Sequence, residues 1–301
     1  MTEMQGFLNL NKPAGFTSHD CVAKVRRLLH TKKVGHGGTL DPAAMGVLPI
    51  AVGKATRLLP FLPPEKAYQA KICFGLQTDT DDLEGEVIAT HSAAYLTLAT
   101  VEVALEKFRG EISQIPPAYS AIKRQGKKLY ELARKGEKVE IEPRIVEINK
   151  IQVLAWQPGE KPELEVAIAC GPGTYIRAIA RDLGNLLQVG GTLANLVRTE
   201  SCGLQLAQSV TFEELEAENQ QLIPPDLALQ HLPQVTLSTE KAQRWCQGQR
   251  ISLELEPGDK VNSQEFYRVY GEQRGFLGIA AIIEHQLKPK VVCSQLSPIN
   301  H

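Results

Sequence analysis

What this 301-residue sequence lacks narrows its chemistry before any motif is read. Its six cysteines stand at 21, 73, 170, 202, 246 and 293, with no C-x-x-C among them. That spacing argues against a zinc ribbon and a disulfide framework and fits reduced thiols in a cytoplasm. The seven histidines form no H-x-x-x-H or H-E-x-x-H pattern, so no metal site is expected. No stretch approaches the roughly 18 apolar residues of a membrane span. The start, MTEMQGFLNLNKPAG, lacks the basic-then-apolar build-up of a secretory leader. VGKAT (52–56) has neither the earlier glycine nor the Lys-Ser/Thr pair of a phosphate loop. TDTDDLEGE (78–86) puts its glycine and closing Glu in the wrong places for a calcium loop.

A net charge of −1 offers little to a polyanion, but the charge is unevenly placed. Residues 1–75 carry 10 Lys+Arg against 4 Asp+Glu, and residues 119–138 carry 7 against 2. The acid collects at 76–110, with 7 acidic against 2 basic residues, and at 201–233, with 5 against none. Two basic blocks in a near-neutral chain suit a surface that tracks phosphates, although charged blocks also cover ordinary solvated helices.

Hydrophobic spacing supplies the elements. TSHDCVAKVRRLLH (17–30) reads as an amphipathic helix opened by Thr17 and Asp20. VLPIAV is a short strand candidate, and ATRLLPFL reads as helix up to the prolines at 63 and 64. YQAKICFG (68–75) and ELEVAIAC (163–170) alternate as half-buried strands do. TLATVEVALEKF (97–108) and the segment from Ile176 to Leu187 are helices, the second entered through a glycine-proline turn. Between them, QIPPAYSAIKRQGKKLYELARKG reads as a long functional loop ending in a short helix. Beyond about residue 233 short apolar pieces alternate with turns, the texture of a small β-rich domain, with the acidic segment 213–226 as the junction.

HGGTLDPAAMG (36–46) poses the functional question. Asp41 before Pro42 suits a helix N-cap, yet a lone carboxylate in a glycine-rich turn also suits a reagent. Several ordered blocks favour the reagent: NKPAGFTSHD (11–20), GHGGTLDPAAMGVLPIAVGKATRL (35–58), KAYQAKICFG with TDTDD (66–82), IPPAYSAIKRQGKKLYELARKG (115–136), GTYIRAIARDLG (173–184) and LVRTESCG (196–203). Over about the first 210 residues these blocks resemble the TruB family of pseudouridine synthases.

The resemblance implies an α+β fold: a catalytic domain at 1–232 with a mixed, largely antiparallel sheet and helices, and a small PUA-like RNA-binding domain at 233–301. It implies a thumb-like RNA-binding insertion at about 115–144. The implied reaction isomerises uridine-55 in the T loop of tRNA, breaking the C1′–N1 bond and forming C1′–C5. No redox change occurs, so no cofactor is expected. Asp41 would attack C1′ or take a proton from C2′, with Arg177 as the ion-pair partner that holds it ionised. Tyr175 would pack on the target base, Tyr68 would lie near C5, Leu196 would touch the uracil, and His36 would fill the space the base leaves. Lys123, Arg124, Lys127 and Lys128 are the candidate phosphate contacts. The implied partner is the tRNA T stem-loop, met by a cytoplasmic monomer that needs no membrane or protein partner. The rivals are a guide-dependent RNA pseudouridine synthase, a non-catalytic RNA-binding or chaperone protein, and a nucleoside hydrolase, which ordinarily wants a second carboxylate or a metal.

Overall fold

A computed structural model describes residues 5–120, 123–124, 127–128, 141–217, 222–253, 265–273 and 275–293. Seven strands form the path of the main sheet: β1 (Gly6–Lys12), β2 (Met45–Val52), β3 (Lys66–Phe74), β4 (Gly110–Gln114), β5 (Arg144–Gln157), β6 (Glu163–Cys170) and β7 (Gly191–Ser201). Their spatial order is β1-β2-β7-β3-β6-β5-β4, with two short strands, Val34–His36 and Leu204–Gln205, added on β2 and β7. Every pairing on this path is antiparallel except β2 with β7. The sheet is therefore mixed and largely antiparallel, as expected.

Three helices cover it. α1 (Ser18–Leu28) opens with the expected capping box, Thr17 and Asp20 each satisfying the other's backbone N–H. α2 (Leu98–Leu105) and α3 (Ile176–Leu186) pack on the face built from Tyr68, Ala70, Ile72 and Phe74 of β3 and Leu164, Val166 and Ile168 of β6. α1 and the short 212–216 helix bury a second cluster against Leu8, Leu10, Leu48 and Ile50.

The segment ATRLLPFL, expected to be helical, lies almost wholly within a 3-10 helix, Gly53–Phe61. Pro60 lies within it, and a proline cannot donate the backbone bond an α-turn would need. At the expected junction the chain pairs with β1, just before the acidic 213–226 segment through Asn11 N–H to Val210 O and near its end through Ile223 N–H to Phe7 O and Phe7 N–H to Ile223 O. The acidic stretch 75–86 contains the strand Leu76–Thr78, paired with Val87–Thr90.

The C-terminal strands lie in the order Gln234–Leu237, Phe266–Gly271, Gly275–Ile283, Gln286–Val292, Ile251–Ser252, a curled five-stranded β-sheet. A helix at Thr239–Cys246, absent from the sequence reading, buries Trp245 against it. The sheet shares a core with the main body, where Phe61 meets Phe266 edge-on at 4.8 Å and Ile279 and Val291 join Phe7, Ala51 and Leu58. Among the described residues no helix is long and apolar enough to cross a membrane. Of the expected insertion, the described parts are 115–120 and 141–144 and a two-rung hairpin pairing 123–124 with 127–128; the helix expected at its end lies outside the described residues.

Gly46 shows how tightly the site strand is seated. It sits in β2 opposite Arg198 of β7, at φ +99°, and a Cβ there would overlap the Arg198 carbonyl. Gly15 has a similar φ of +83° with open space around it. Strain of φ alone costs about 1 kcal/mol for alanine, whereas overlap with backbone must move a strand. Gly46→Ala should lower the melting temperature by several degrees more than Gly15→Ala, measured by calorimetry; equal shifts would show that the close approach is not a constraint.

Candidate active site

No helix follows Asp41. The chain makes one turn, Ala44 N–H to Asp41 O, and enters β2, so the carboxylate caps nothing. Instead three side chains fix the loop around it. Ser18, at the start of α1, accepts from the Leu40 N–H at 2.9 Å and donates to the Leu40 carbonyl at 3.1 Å. Lys12, at the end of β1 and fully buried, donates to the carbonyls of Pro13, Pro42 and Ala44 at 2.9, 3.0 and 2.6 Å. Arg198, fully buried in β7, donates to the carbonyls of Val47, Thr39 and Gly38 at 2.7, 3.2 and 3.0 Å. Residues 38–44 are thus held on both sides of Asp41 by cations that bond backbone.

Arg177 enters from the first turn of α3, at 3.0 Å from Asp41 and 3.5 Å from Asp82. It also donates to the carbonyls of Thr80 and Tyr119, each at 3.0 Å. One helical turn on, Arg181 pairs with Asp81 at 2.8 Å and donates to the Ile115 carbonyl at 2.8 Å. The two arginines tie the acidic 79–82 turn and the 115–119 segment to one helix face. Gln114, at the end of β4, fixes the entry to that helix by accepting from Tyr175 N–H at 2.8 Å and donating to its carbonyl at 3.1 Å.

Asp41, Tyr68, Tyr175, Arg177 and Leu196 line one cavity of about 220 Å³, together with Lys66 and Ser120. Asp41 and Arg177 also line an outer cleft of about 550 Å³ that includes His19, Asp82 and Tyr119. A larger groove of about 660 Å³ between α2 and β5 gathers no such set, so chemistry rather than size picks the site. His36 is on the wall of neither space; its ring packs edge-on against His19 at 5.5 Å between centroids. The side chains of Lys123, Arg124, Lys127 and Lys128 lie outside the described residues. Among those described, no group of three or more His, Cys, Asp or Glu side chains is arranged to hold a metal ion.

Two effects oppose each other at the Asp41 carboxyl. Arg177 does pull the Asp41 pKa down, but burial outweighs it and Asp82 adds to the upward push, so the carboxyl titrates above its ordinary 3.8. The side chain keeps 41% of its surface open, but onto the enclosed site, where less water solvates the charge. Sharing one guanidinium between two carboxylates further weakens what Asp41 receives. Burial also raises the Tyr68 and Tyr175 hydroxyls, with Arg198 opposing at Tyr68. Lys12, Arg198 and Gln114 were not picked out from sequence. Lys12 and Arg198 fall inside the quoted NKPAG and LVRTESCG blocks, but a Lys or Arg in a strand reads by default as exposed.

A carboxyl with a raised pKa is still protonated at pH values where a free Asp has ionised. A carbon-detected NMR titration of Asp41 should therefore give a midpoint above 3.8, and Arg177→Met should raise it further by removing the opposing charge. A midpoint at or below 3.8 in the wild-type protein would contradict this balance.

Comparison with known proteins agrees with the geometry. Residues 26–176 match the family described as "TruB family pseudouridylate synthase (N terminal domain)", and residues 233–293 match "Pseudouridine synthase II TruB, C-terminal". The chain is 60% identical to a protein of Gloeothece citriformis named tRNA pseudouridine synthase B, over 97% of this chain and 98% of that one. A protein of the same name from Synechocystis is 54% identical over 96% and 99%. Among solved structures, a chain from "Crystal Structure of a Cbf5-Nop10-Gar1 Complex" superposes with a TM-score of 0.68 at 26% identity, covering 92% of this chain and 78% of that one. The chain belongs to the TruB family of pseudouridylate synthases.

Proposed function

We propose that this protein converts uridine-55 in the T loop of tRNA to pseudouridine, with Asp41 as the attacking or proton-abstracting carboxylate. The observation that carries the proposal is a single carboxylate, aimed by Arg177, in a cavity that also presents two tyrosines and Leu196. That cavity suits one planar base, and the cleft outside it, which Asp41 and Arg177 also line, gives the nucleotide a way in. Tyr175 packs on the base, Leu196 touches its edge, and Tyr68 stands near the carbon that finally loses a proton. His36 occupies the space left in the RNA stack. The ionised Asp41 either bonds C1′ as N1 departs or removes a C2′ proton to leave a glycal.

The same reading assigns residues 1–232 to catalysis and 233–301 to an RNA-binding domain, with 115–144 closing on the T arm. The protein works as a cytoplasmic monomer on tRNA and needs neither guide RNA nor cofactor. Two features support direct tRNA recognition: its relatives at 54–60% identity bear the name of a tRNA enzyme, and Tyr119 and Ser120, which open the basic 119–138 stretch of the sequence, line the cleft.

Two measurements test this. With T-arm RNA carrying tritium at uracil C5, the wild-type protein should release tritium to water while the base stays attached to the chain; free uracil would indicate a hydrolase, and neither product a binding protein. Asp41→Asn should abolish release while tRNA affinity and the melting temperature stay near wild type, because Arg177 keeps Asp82 and two carbonyls. Release near the wild-type rate would remove Asp41 from the mechanism.

Neutralising Lys127 and Lys128 together should weaken RNA binding and reduce the log–log salt slope by about one unit per lost phosphate contact. An unchanged slope would make that block a solvated face.

A further inference from the structure

Among the described residues lining the inner cavity, the cations are Arg177, which Asp41 and Asp82 share, and Lys66. It stands on β3 two residues before Tyr68, on the same side of the strand, and is half-buried. It lines the inner cavity but not the outer cleft. A Cβ on Gly38 would lie 3.7 Å from both the Lys66 Nζ and the Arg198 Nη1, so the two cations face one small gap, which Gly38 leaves open at φ +140°. Among the described residues no carboxylate forms an ion pair with Lys66, whereas Arg177 is shared by Asp41 and Asp82. Burial and the neighbouring Arg198 both push the Lys66 ammonium below the ordinary lysine range. Such a group gains from meeting an anion.

The reaction makes one there. When C1′–N1 breaks, its electron pair leaves with N1, and uracil becomes a monoanion spread over N1, O2 and O4. Carbon C1′ is then bonded to an Asp41 oxygen, or has become a glycal after Asp41 took the C2′ proton. In either case the free base must be kept and turned before C5 bonds to C1′, Asp41 regains its starting state, C5 loses its proton and N1 gains one. We propose that Lys66, backed by Arg198, is the catalytic cation that stabilises and retains this uracil anion. The proposal rests on the isomerase reading above. Cavity position favours the base anion over a phosphate: Lys66 shares the inner cavity with Asp41, Tyr68, Tyr175 and Leu196, the groups assigned to the uridine, and does not line the outer cleft.

The test uses the full-length protein in single-turnover reactions at saturating T-arm RNA, following loss of the target nucleoside. Lys66→Met should slow the reaction by about 100-fold or more, the size of effect that follows removal of one preorganised stabilising group. Lys66→Arg should recover most of the rate. RNA affinity and melting temperature should stay close to wild type. RNA with 5-fluorouridine at the target has a more acidic N1 and so a better leaving group. It should recover part of the Lys66→Met loss, raising the ratio of fluoro to natural rate at least about tenfold over wild type. Weaker RNA binding with an unchanged rate would make Lys66 a phosphate contact and overturn the proposal. Equal losses on both RNAs, unrelieved by arginine, would make it structural and also overturn it. Wild-type protein that releases no C5 tritium would sink the isomerase reading itself, a result obtained before any variant is made.

Discussion

One guanidinium sets the geometry of the site. Arg177 holds Asp41 and Asp82 and two backbone carbonyls at once, so the Asp41 carboxylate, the acidic 79–82 turn and the start of the 115–144 segment are positioned from a single helix turn. An arginine can do this because its planar fork presents five donors in fixed directions. The arrangement favours aim over charge stabilisation. Asp41 shares its ion-pair partner with Asp82, and burial leaves its pKa above the ordinary value.

That aim would mean little on a loose loop. The backbone from Gly38 to Ala44 is held by Ser18, Lys12 and Arg198, which bring together the start of α1 and the strands β1 and β7. Burying a lysine and an arginine opposite carbonyls rather than carboxylates is a costly way to fix a turn. It fixes the Asp41 loop without adding a further carboxylate ion pair to it, however, and leaves two more cations close to the cavity. An enzyme whose leaving group is an anion benefits from that choice. Fixing the loop from rigid strands also keeps the reacting groups within the small tolerance that orientation effects demand.

Much of this was legible from residues alone, for identifiable reasons. β3 and β6 alternate cleanly, and Thr17 with Asp20 announces α1, because one face of each element is apolar and the other is not. Tyr68, Tyr175 and Leu196, picked out by family likeness, do share a cavity with Asp41 and Arg177. β5 was not legible: register shifts along its pairing with β6 break the period-two pattern. Lys12 and Arg198 point inward against every binary rule, so their work appears only once the carbonyls they bond are in place. His36 ended against His19 rather than on the cavity wall, a placement its glycine-rich surroundings could not indicate.

The claim that Arg177 acts mainly by orienting Asp41 is tested most directly by Arg177→Lys. Lysine keeps the positive charge but loses the fork that grips two carboxylates and two carbonyls together. The account predicts that single-turnover release of C5 tritium falls by about 100-fold or more, while T-arm affinity and the Asp41 titration midpoint change little. A rate near wild type would show that a nearby positive charge suffices, and would contradict the account.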